Sequence, residues 1–518
     1  MAFQQFPQKG GVPTGVTAAR PSGAVTGDVF YNGSLGLLEI YDGTNWVPCS
    51  APAGIPTFTA TDVGTSRAYT SGAIAWTITA GTNGGSPYGY TATATSPAPI
   101  TYSTGTTAST TPTLAVGGPG TYSLSATAFN GFGTSPSSPT QSVTVTTVPD
   151  APTIGTASTS SVTSDVTVTW TLGNNGGKNL SSITITPYLN GTTAQTSQTA
   201  ATTSSTSHVF TGLSMSSAYT FKVKTTNANG TGLESSATNS ITVPLFLEYL
   251  VVAGGGGAGT SNGAAGAGAG GMKAATAGFL GTVTVTVGAG GSGVSNPDTR
   301  GGNGTGSQFG SITTTGGGGS GSEGSGSIRR GNDGGSGGGS VRSTEPGGSG
   351  TSGEGNNGGK NVNDGSPHYA GGGGGGKGAA GQDGQATGDG VGGIGAQSSI
   401  TGTATYYAGG GGAGYYNAGS GQNSGGAGGL GGGAMGGKNP SDGRNRNGSA
   451  NTGGGGAPTG ISSELGGNGG SGVVIVAMPS SNGLTSIGGG LTYTLDTTTR
   501  SGYKIYRFTA GTGSVTMA

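Results

Sequence analysis

Residues 245–257 read LFLEYLVVAGGGG, and the chain changes material inside them. From Gly254 to Gly472, 85 of 219 residues are Gly, about 39%, which leaves 121 − 85 = 36 in the other 299, about 12%. Ordinary usage is roughly 7%. Before that boundary the chain is rich in Thr, Ser, Val and Pro and alternates with period two, as in GAIAWTIT (72–79), DVTVTW (165–170), SITITPYL (182–189) and AYTFKVKT (218–225). Period two predicts short, half-buried strands. No amphipathic helical stretch and no sustained heptad interrupts the pattern, which excludes a coiled-coil shaft. The expected fold is all-β with a glycine-rich block inserted late in the chain.

Composition narrows the function classes. Charged residues are 7% of the 518, and 19 basic residues balance 19 acidic ones. A neutral chain releases few counterions, so nucleic acid is not an expected partner. One cysteine, Cys49, and two histidines, His208 and His368, provide neither an intramolecular disulfide nor a zinc site. No cofactor and no metal are expected. The N-terminal MAFQQFPQKGGVPTG has no apolar core of signal-peptide length. Leu245–Ala253, broken by Glu248, and Val473–Met478 fall well short of the roughly 20 apolar residues of a membrane helix, so no membrane insertion is expected.

Residues 54–244 contain a repeat of about 95 residues. Trp76, Asn83-Gly84-Gly85, Tyr122, Asn130 and Gly133-Thr134 recur as Trp170, Asn175-Gly176-Gly177, Tyr219, Asn227 and Gly230-Thr231. In the second copy Val166, Val168 and Trp170 share one strand face, and Tyr219, Phe221 and Val223 share another, as the two inner faces of a sandwich require. Leu213 stands six residues before Tyr219, as in a tyrosine corner. With VPDAPT at 148–153, these residues resemble fibronectin type III modules, which implies two tandem β-sandwiches that act as spacers or binding scaffolds. The tryptophans and tyrosines are expected in their cores.

Near the start, GDVFYNGSLGLLEIYDGTNWVP (27–48) sets two apolar runs around Asn32-Gly33 and closes with Asp42-Gly43, a β-hairpin pattern. The string resembles short motifs of phage tail and fibre proteins, which implies a segment that docks to other virion proteins.

The glycine-rich block admits two physical states. It is either a flexible linker, or an array in which backbone groups satisfy one another, because its side chains are too few to offset the entropy of ordering. Strict G-X-Y is absent, which excludes collagen. The runs 254–257, 316–319, 371–376, 409–412 and 453–456 suit a bundle of polyglycine II helices, with SNPDTR, SIRRGND, VNDGSPHYA, TATYY and KNPSDGRNRNG as reversing loops. LFLEYLVVA and SGVVIVAMP (471–479) bracket the block as two strands able to pair and clamp it. A linker has no use for a clamp, so the ordered array is favoured.

EYLVVAGGGGAG, the long glycine body and GGSGVVIVAMP resemble the glycine-rich domain of bacteriophage tail fibres and adhesins, and LTYTLDTTTRSGYKIYRFTAGTGSVTM (491–517) resembles the β element that accompanies it. The resemblance implies a rigid platform whose loops contact a host surface. The expected organisation is an N-terminal docking segment (1–53), two sandwiches (54–148 and 149–244), the glycine-rich domain (245–479) and a small C-terminal β element (480–518).

Several motifs point elsewhere and weaken on inspection. Gly371, Gly376 and Lys377 have P-loop spacing, but Gly378 stands where Ser or Thr would hold magnesium. Asp333, Asp383 and Asp389 fit no nine-residue calcium repeat. His208 lies in a strand with no catalytic partner in view. The residues left for recognition are Arg329 and Arg330, His368 and Tyr369, Tyr406 and Tyr407, Tyr415 and Tyr416, and Arg444 and Arg446. The two tyrosine pairs flank 409–414 and are expected together at one end of adjacent helices, where packing or a trimer contact competes with receptor contact.

The sequence therefore predicts a non-enzymatic virion tail fibre, a homo-oligomer with a trimer as one candidate state. Its glycine-rich tip would bind a bacterial surface polysaccharide or outer-membrane protein. A capsid-attached spacer fibre and a polysaccharide depolymerase are the alternatives.

Overall fold

The computed structural model describes residues 14–517 apart from 16, 35–36, 49–51, 64–70, 83–86, 96–99, 106–108, 161–162, 343–344, 362–367, 386–387, 418–424, 438–443 and 461–463. Cys49 and Asn83–Gly85 thus lie outside the described residues. The fold is all-β: among the described residues the only helical elements are the 3-10 turns Thr17–Ala19 and Gly326–Arg329. Two compact units result, one of Met1–Ser158, Thr167–Phe210 and Ala218–Ile241, the other of Thr159–Val166, Thr211–Ser217 and Thr242–Ala518.

In the first unit, Val29–Asn32, Leu37–Tyr41 and Trp46–Pro48 form an antiparallel meander, joined by a two-residue parallel strand at Thr14–Gly15. The second turn forms because Asp42 Oδ1 accepts the N–H groups of Thr44 and Asn45 (2.8 and 2.7 Å). Beneath the meander, Arg20 grips the buried Glu39 through Nε–Oε2 (2.8 Å) and Nη2–Oε1 (2.5 Å), and Asn32 Nδ2 donates to Glu39 Oε2.

The first sandwich packs Thr57–Asp62, Gly72–Thr79 and Thr113–Val116 against a sheet built on Gly89–Ala94 and Gly120–Asn130. Alternation drives it: Ile74, Trp76 and Ile78 point inward from one sheet and Tyr122, Leu124, Ala126 and Ala128 from the other, all buried in one cluster. Tyr122 Oη donates to Gly118 O (2.9 Å), the corner bond of such sandwiches. The second sandwich buries Val166, Val168, Trp170, Tyr219, Phe221 and Val223, the two expected inner faces. Leu213 is only half-buried, and its loop, Thr211–Ser217, groups with the second unit, where Ser216 N–H donates to Val243 O and Val243 N–H to Ser217 O (2.8 and 3.0 Å).

The repeated asparagines and glycines have a shared task. Asn227 Nδ2 donates to Thr147 O and Asn175 O (both 2.8 Å), Asn229 Nδ2 also reaches Thr147 O, and Thr147 N–H donates to Gly176 O. On the other side Asp62 Oδ2 accepts Thr146 N–H (3.0 Å). The linker between the sandwiches is therefore held from both modules. Gly176 has φ +70° and faces Thr147 O too closely to carry a Cβ.

In the second unit, Leu245–Val252 pairs antiparallel with Val473–Pro479, Glu248 opposite Ala477 and Val252 opposite Val473, so the bracketing strands do pair. The C-terminal segment does not stand apart. Its strand Tyr503–Met517 lies between Val473–Pro479 and Thr282–Thr286 in a nine-stranded sheet that also includes Met272–Phe279. Both faces are covered. Leu245, Leu247, Tyr249 and Val251 face a cluster with Phe279, Phe309 and Phe508; Leu250 and Val252 face another with Ile475, Ile505, Tyr407 and Ala408. Glu248, the break in the apolar run, is held bidentately by Arg500 (2.6 and 2.8 Å).

Beyond the sheet the glycine segments form a hydrogen-bonded array. Segment Ala264–Gly271 shows its geometry. Gly266 and Ala269 donate to Gly372 and Gly375, Ala267 and Gly270 to Gly456 and Gly453, Gly268 and Gly271 to Gly318 and Thr315, all within 3.0 Å. Each neighbour is met every third residue, the signature of a helix with three residues per turn. Its carbonyls accept from three further segments: Ala264 and Ala267 from Gly414 and Gly411, Gly266 and Ala269 from Gly339 and Ser336, and Gly268 from Gly256. Six neighbours around one segment is hexagonal packing. A Cβ at each of Gly254 to Gly257 would lie closer than 3.0 Å to a backbone oxygen of a neighbouring segment. The composition is thus a steric requirement.

Amide exchange through Gly254–Gly257, Gly372–Gly376 and Gly409–Gly412 should accordingly be as slow as in the sheet strands. Gly256→Ala should lower the melting temperature of the full chain by several degrees, because the backbone of Gly318 cannot yield. Gly489→Ala, where a Cβ meets nothing within 4 Å, should leave it unchanged or slightly raised. Calorimetry on the two variants checks both.

Candidate functional site

Hydrogen-bond register assigns the array two ends. Gly254–Ala258 runs out from the strand Leu245–Val252 and Ala264–Gly271 runs back into Met272–Phe279, so the turn between them is remote from the sheet. By the same register the reversals after Val294, Ser322, Val341, Lys360, Gly384, Gly414, Gly437 and Ala457 lie at that far end. The hairpin Ala396–Ser398 with Thr405–Tyr407 lies at the sheet end, where Ile400 and Tyr407 join the core cluster.

This separates the candidate residues. Arg329, Arg330, His368, Tyr369, Tyr415, Tyr416, Arg444 and Arg446 come together at the far end, whereas Tyr406 and Tyr407 lie at the other. The tyrosine pairs are not neighbours, because Ala408–Gly414 is one uninterrupted segment: Gly410 and Ala413 donate to Gly393 and Gly390, and Gly411 and Gly414 to Ala267 and Ala264. At roughly 3.1 Å per residue the pairs are about 25 Å apart. Strand alternation also splits each pair. Tyr407 and Tyr415 are buried at 3% and 4% exposure, so these two are core residues and not contact residues, while Tyr406 is exposed and Tyr416 half-buried. Burial raises the Tyr407 phenol above its ordinary value.

At the far end His368–Ala370 pairs with Tyr415–Asn417, which sets Tyr369 opposite Tyr416 with ring centroids 6.4 Å apart. The Arg342 guanidinium lies 4.5 Å from the Tyr369 centroid and bonds Glu323 at 2.6 Å. Arg342 and Glu323 were not among the sequence candidates, since isolated residues in a reversal carry no motif. Arg329 Nε donates to Gly324 O (2.8 Å) across the turn Gly326–Arg329, which fixes the guanidinium beside that turn. Arg330 is half-buried beside Asp333 (2.8 Å). Arg444 Nη1 donates to Gly436 O (3.0 Å), and the Arg446 guanidinium lies against Gly437.

A cleft of about 490 Å³ opens among these reversals, lined by Arg300, Gly326, Ser327, Arg329, Arg330 and Glu345. Arg300 is the residue that the sequence reading passed over, although it closes the SNPDTR reversal. The resemblance of 371–377 to a P-loop dissolves, because Gly372 to Gly375 donate their N–H groups to other segments of the array and Gly376 donates to Ala379 O in its own turn. His208 bonds Gln198 Oε1 (2.8 Å) in a sandwich strand, and burial lowers its basicity.

Residues 235–479 match the family model of a glycine-rich domain, and residues 150–241 that of the fibronectin type III domain. The chain carries both domains. Together they point to a structural or adhesive role. Among solved structures, the chicken CNTN1 FN1–FN3 domains are similar at 17% identity over 39% of this chain and 69% of that one, with a TM-score of 0.20. Titin domains A168–A170 are similar at 16% identity over 37% and 67%, also with a TM-score of 0.20. No curated protein sequence matches the chain.

The far end of the glycine-rich domain also holds a half-buried acid whose carboxylate oxygens are themselves buried. Among the described residues neither carboxylate oxygen of Asp389 meets a donor, and burial pushes the group up to about 8. An unfolded aspartate ionises near about 4. Asp389 therefore costs the folded state nothing below about pH 4 and destabilises it progressively as pH rises toward 8. Asp389→Asn should melt together with the parent at pH 4 and roughly 4 °C or more above it at pH 8. An equal offset at both pH values would exclude ionisation as the cause.

Proposed function

We propose that the protein is a non-enzymatic virion fibre, a tail fibre that attaches to a bacterial surface through the reversals at the far end of its glycine-rich domain. The observation that supports this most directly is the gathering of polar and aromatic reversals at the end of the array remote from the sheet. A rigid backbone lattice holds them in fixed mutual positions, so ordering entropy at binding is small. The receptor is a surface polysaccharide or an outer-membrane protein. The N-terminal segment docks to other virion proteins, and several copies on one particle convert weak single contacts into firm attachment.

A second reading, a capsid-attached fibre whose modules are spacers, draws support from the linker between the sandwiches, which is held from both sides. Labelling the protein's position on the particle separates the two.

Purified protein should adsorb to host cells and compete with the particle. Tyr416→Ser, at the far end, should weaken adsorption about tenfold, the scale of an aromatic hot spot, and Tyr406→Ser, at the sheet end, should leave it unchanged. Loss through Tyr406 alone would move the contact to the sheet end. Incubation with host polysaccharide should release no new reducing ends; their appearance would make the protein a depolymerase.

A further inference from the structure

The cleft at the far end is unlike the rest of this neutral chain. Three of its six described lining residues are arginines, Arg300, Arg329 and Arg330, against one acid, Glu345. The arginines are held in place by fixed partners. Arg300 Nη1 donates to Asn332 Oδ1 (2.8 Å) and its Nη2 to Ser327 O, Arg329 Nε to Gly324 O (2.8 Å), and Arg330 Nη2 to Asp333 Oδ1 (2.8 Å) and Ser349 Oγ (3.3 Å). Each guanidinium has five N–H donors, and these bonds leave several of them unused. Arg300 Nε is buried and bonds nothing among the described residues. Asp333 offsets one charge from outside the lining.

We infer that this cleft receives the anionic group of a surface saccharide, a carboxylate or a phosphate, and that it is the polar centre of the attachment surface. Planar guanidinium forks match both oxyanions bidentately. The volume falls within the range of small-ligand sites, enough for one or two sugar units rather than a protein loop. Among the described residues no aromatic or aliphatic side chain lines it, so a protein partner meets no apolar anchor from them, while Ser327 and the Gly326 backbone suit sugar hydroxyls. Of the acids around the cleft, Glu323 is engaged by Arg342 (2.6 Å) and Asp333 by Arg330 (2.8 Å).

The inference rests on the attachment reading, and its test separates the two. The full-length protein is titrated with digalacturonate, glucose 6-phosphate and, as a neutral control, maltose. The anionic probes should bind at least about tenfold more tightly than maltose, with the advantage shrinking as salt rises. Preference for digalacturonate assigns a uronic acid as the source, preference for glucose 6-phosphate a phosphorylated sugar. Arg330→Gln, which touches no backbone support and should melt like the parent, should remove most of the preference. Arg330→Lys keeps the charge without the fork and should fall between. Equal binding of the three probes, or an unchanged preference in Arg330→Gln and Arg300→Gln alike, overturns the cleft. If the cleft fails while the protein still adsorbs to cells, attachment runs through other far-end residues. If the probes bind as expected but no cells adsorb the protein, the cleft stands and the attachment reading falls.

Discussion

Every feature of the second unit depends on one interaction, the backbone N–H···O=C bond between neighbouring glycine segments. With three residues per turn, each segment directs N–H groups toward three neighbours and carbonyls toward three more, as Ala264–Gly271 does. Such a lattice tolerates a side chain only where a neighbour recedes, which is why most of the deeply buried side chains are Ala and Ser, at Ala258, Ala265, Ser320 and Ser336 among others, with larger ones such as Thr260, Val341 and Asn361 at segment ends. A single net bond contributes about 1 kcal/mol, comparable to the cost of fixing one residue, so the lattice gains little margin from each segment alone. Cooperation across six neighbours, and anchorage at one end, supply the rest.

The anchorage is the nine-stranded sheet. Its central strands are apolar on both faces, an arrangement that antiparallel sheets rarely need unless each face meets another layer. Here one face covers an aromatic cluster and the other receives the ends of glycine segments through Ile400, Tyr407 and Ala408. The bidentate Glu248–Arg500 pair lets a charged residue occupy the middle of this sheet, with the Arg500 guanidinium stacked 3.7 Å over Tyr503. The C-terminal strand is thus part of the anchor, and chain order conceals the fact because it pairs across more than 200 residues with Thr282–Thr286.

Much of this was legible in the sequence because the relevant rules are local. Period two located the strands of both sandwiches, the Trp and Tyr repeat identified their inner faces, and the shortage of side chains pointed to backbone bonding within the glycine runs. What was not legible depends on direction and on distance in space. The pairs Tyr406-Tyr407 and Tyr415-Tyr416 read as equivalent in sequence; the difference lies in strand alternation, which buries one of each, and in the straight run between them, which sends them to opposite ends. Arg329 and Arg330 read as one basic dipeptide, yet the first supports a turn and the second faces outward. Arg300 and Arg342 belong to separate reversals, and only the register of the array brings them to the same end as Tyr369.

The lattice also explains why chemistry is confined to reversals. Inside the array a side chain larger than a methyl or hydroxymethyl group collides with backbone, so nearly every charged or aromatic residue of the block is forced to a segment end. One end is occupied by the sheet, which absorbs Ile400 and Tyr407 into its core; the other has no such cover from its own sheet, and there the side chains retain polar and aromatic groups directed away from the lattice. Because their support is backbone bonding among glycines rather than packing of the reversals themselves, residues such as Arg330 or Tyr416 can change without loosening the lattice. Stability and recognition are carried by different atoms, the first by main chain and the second by the few side chains that the main chain excludes.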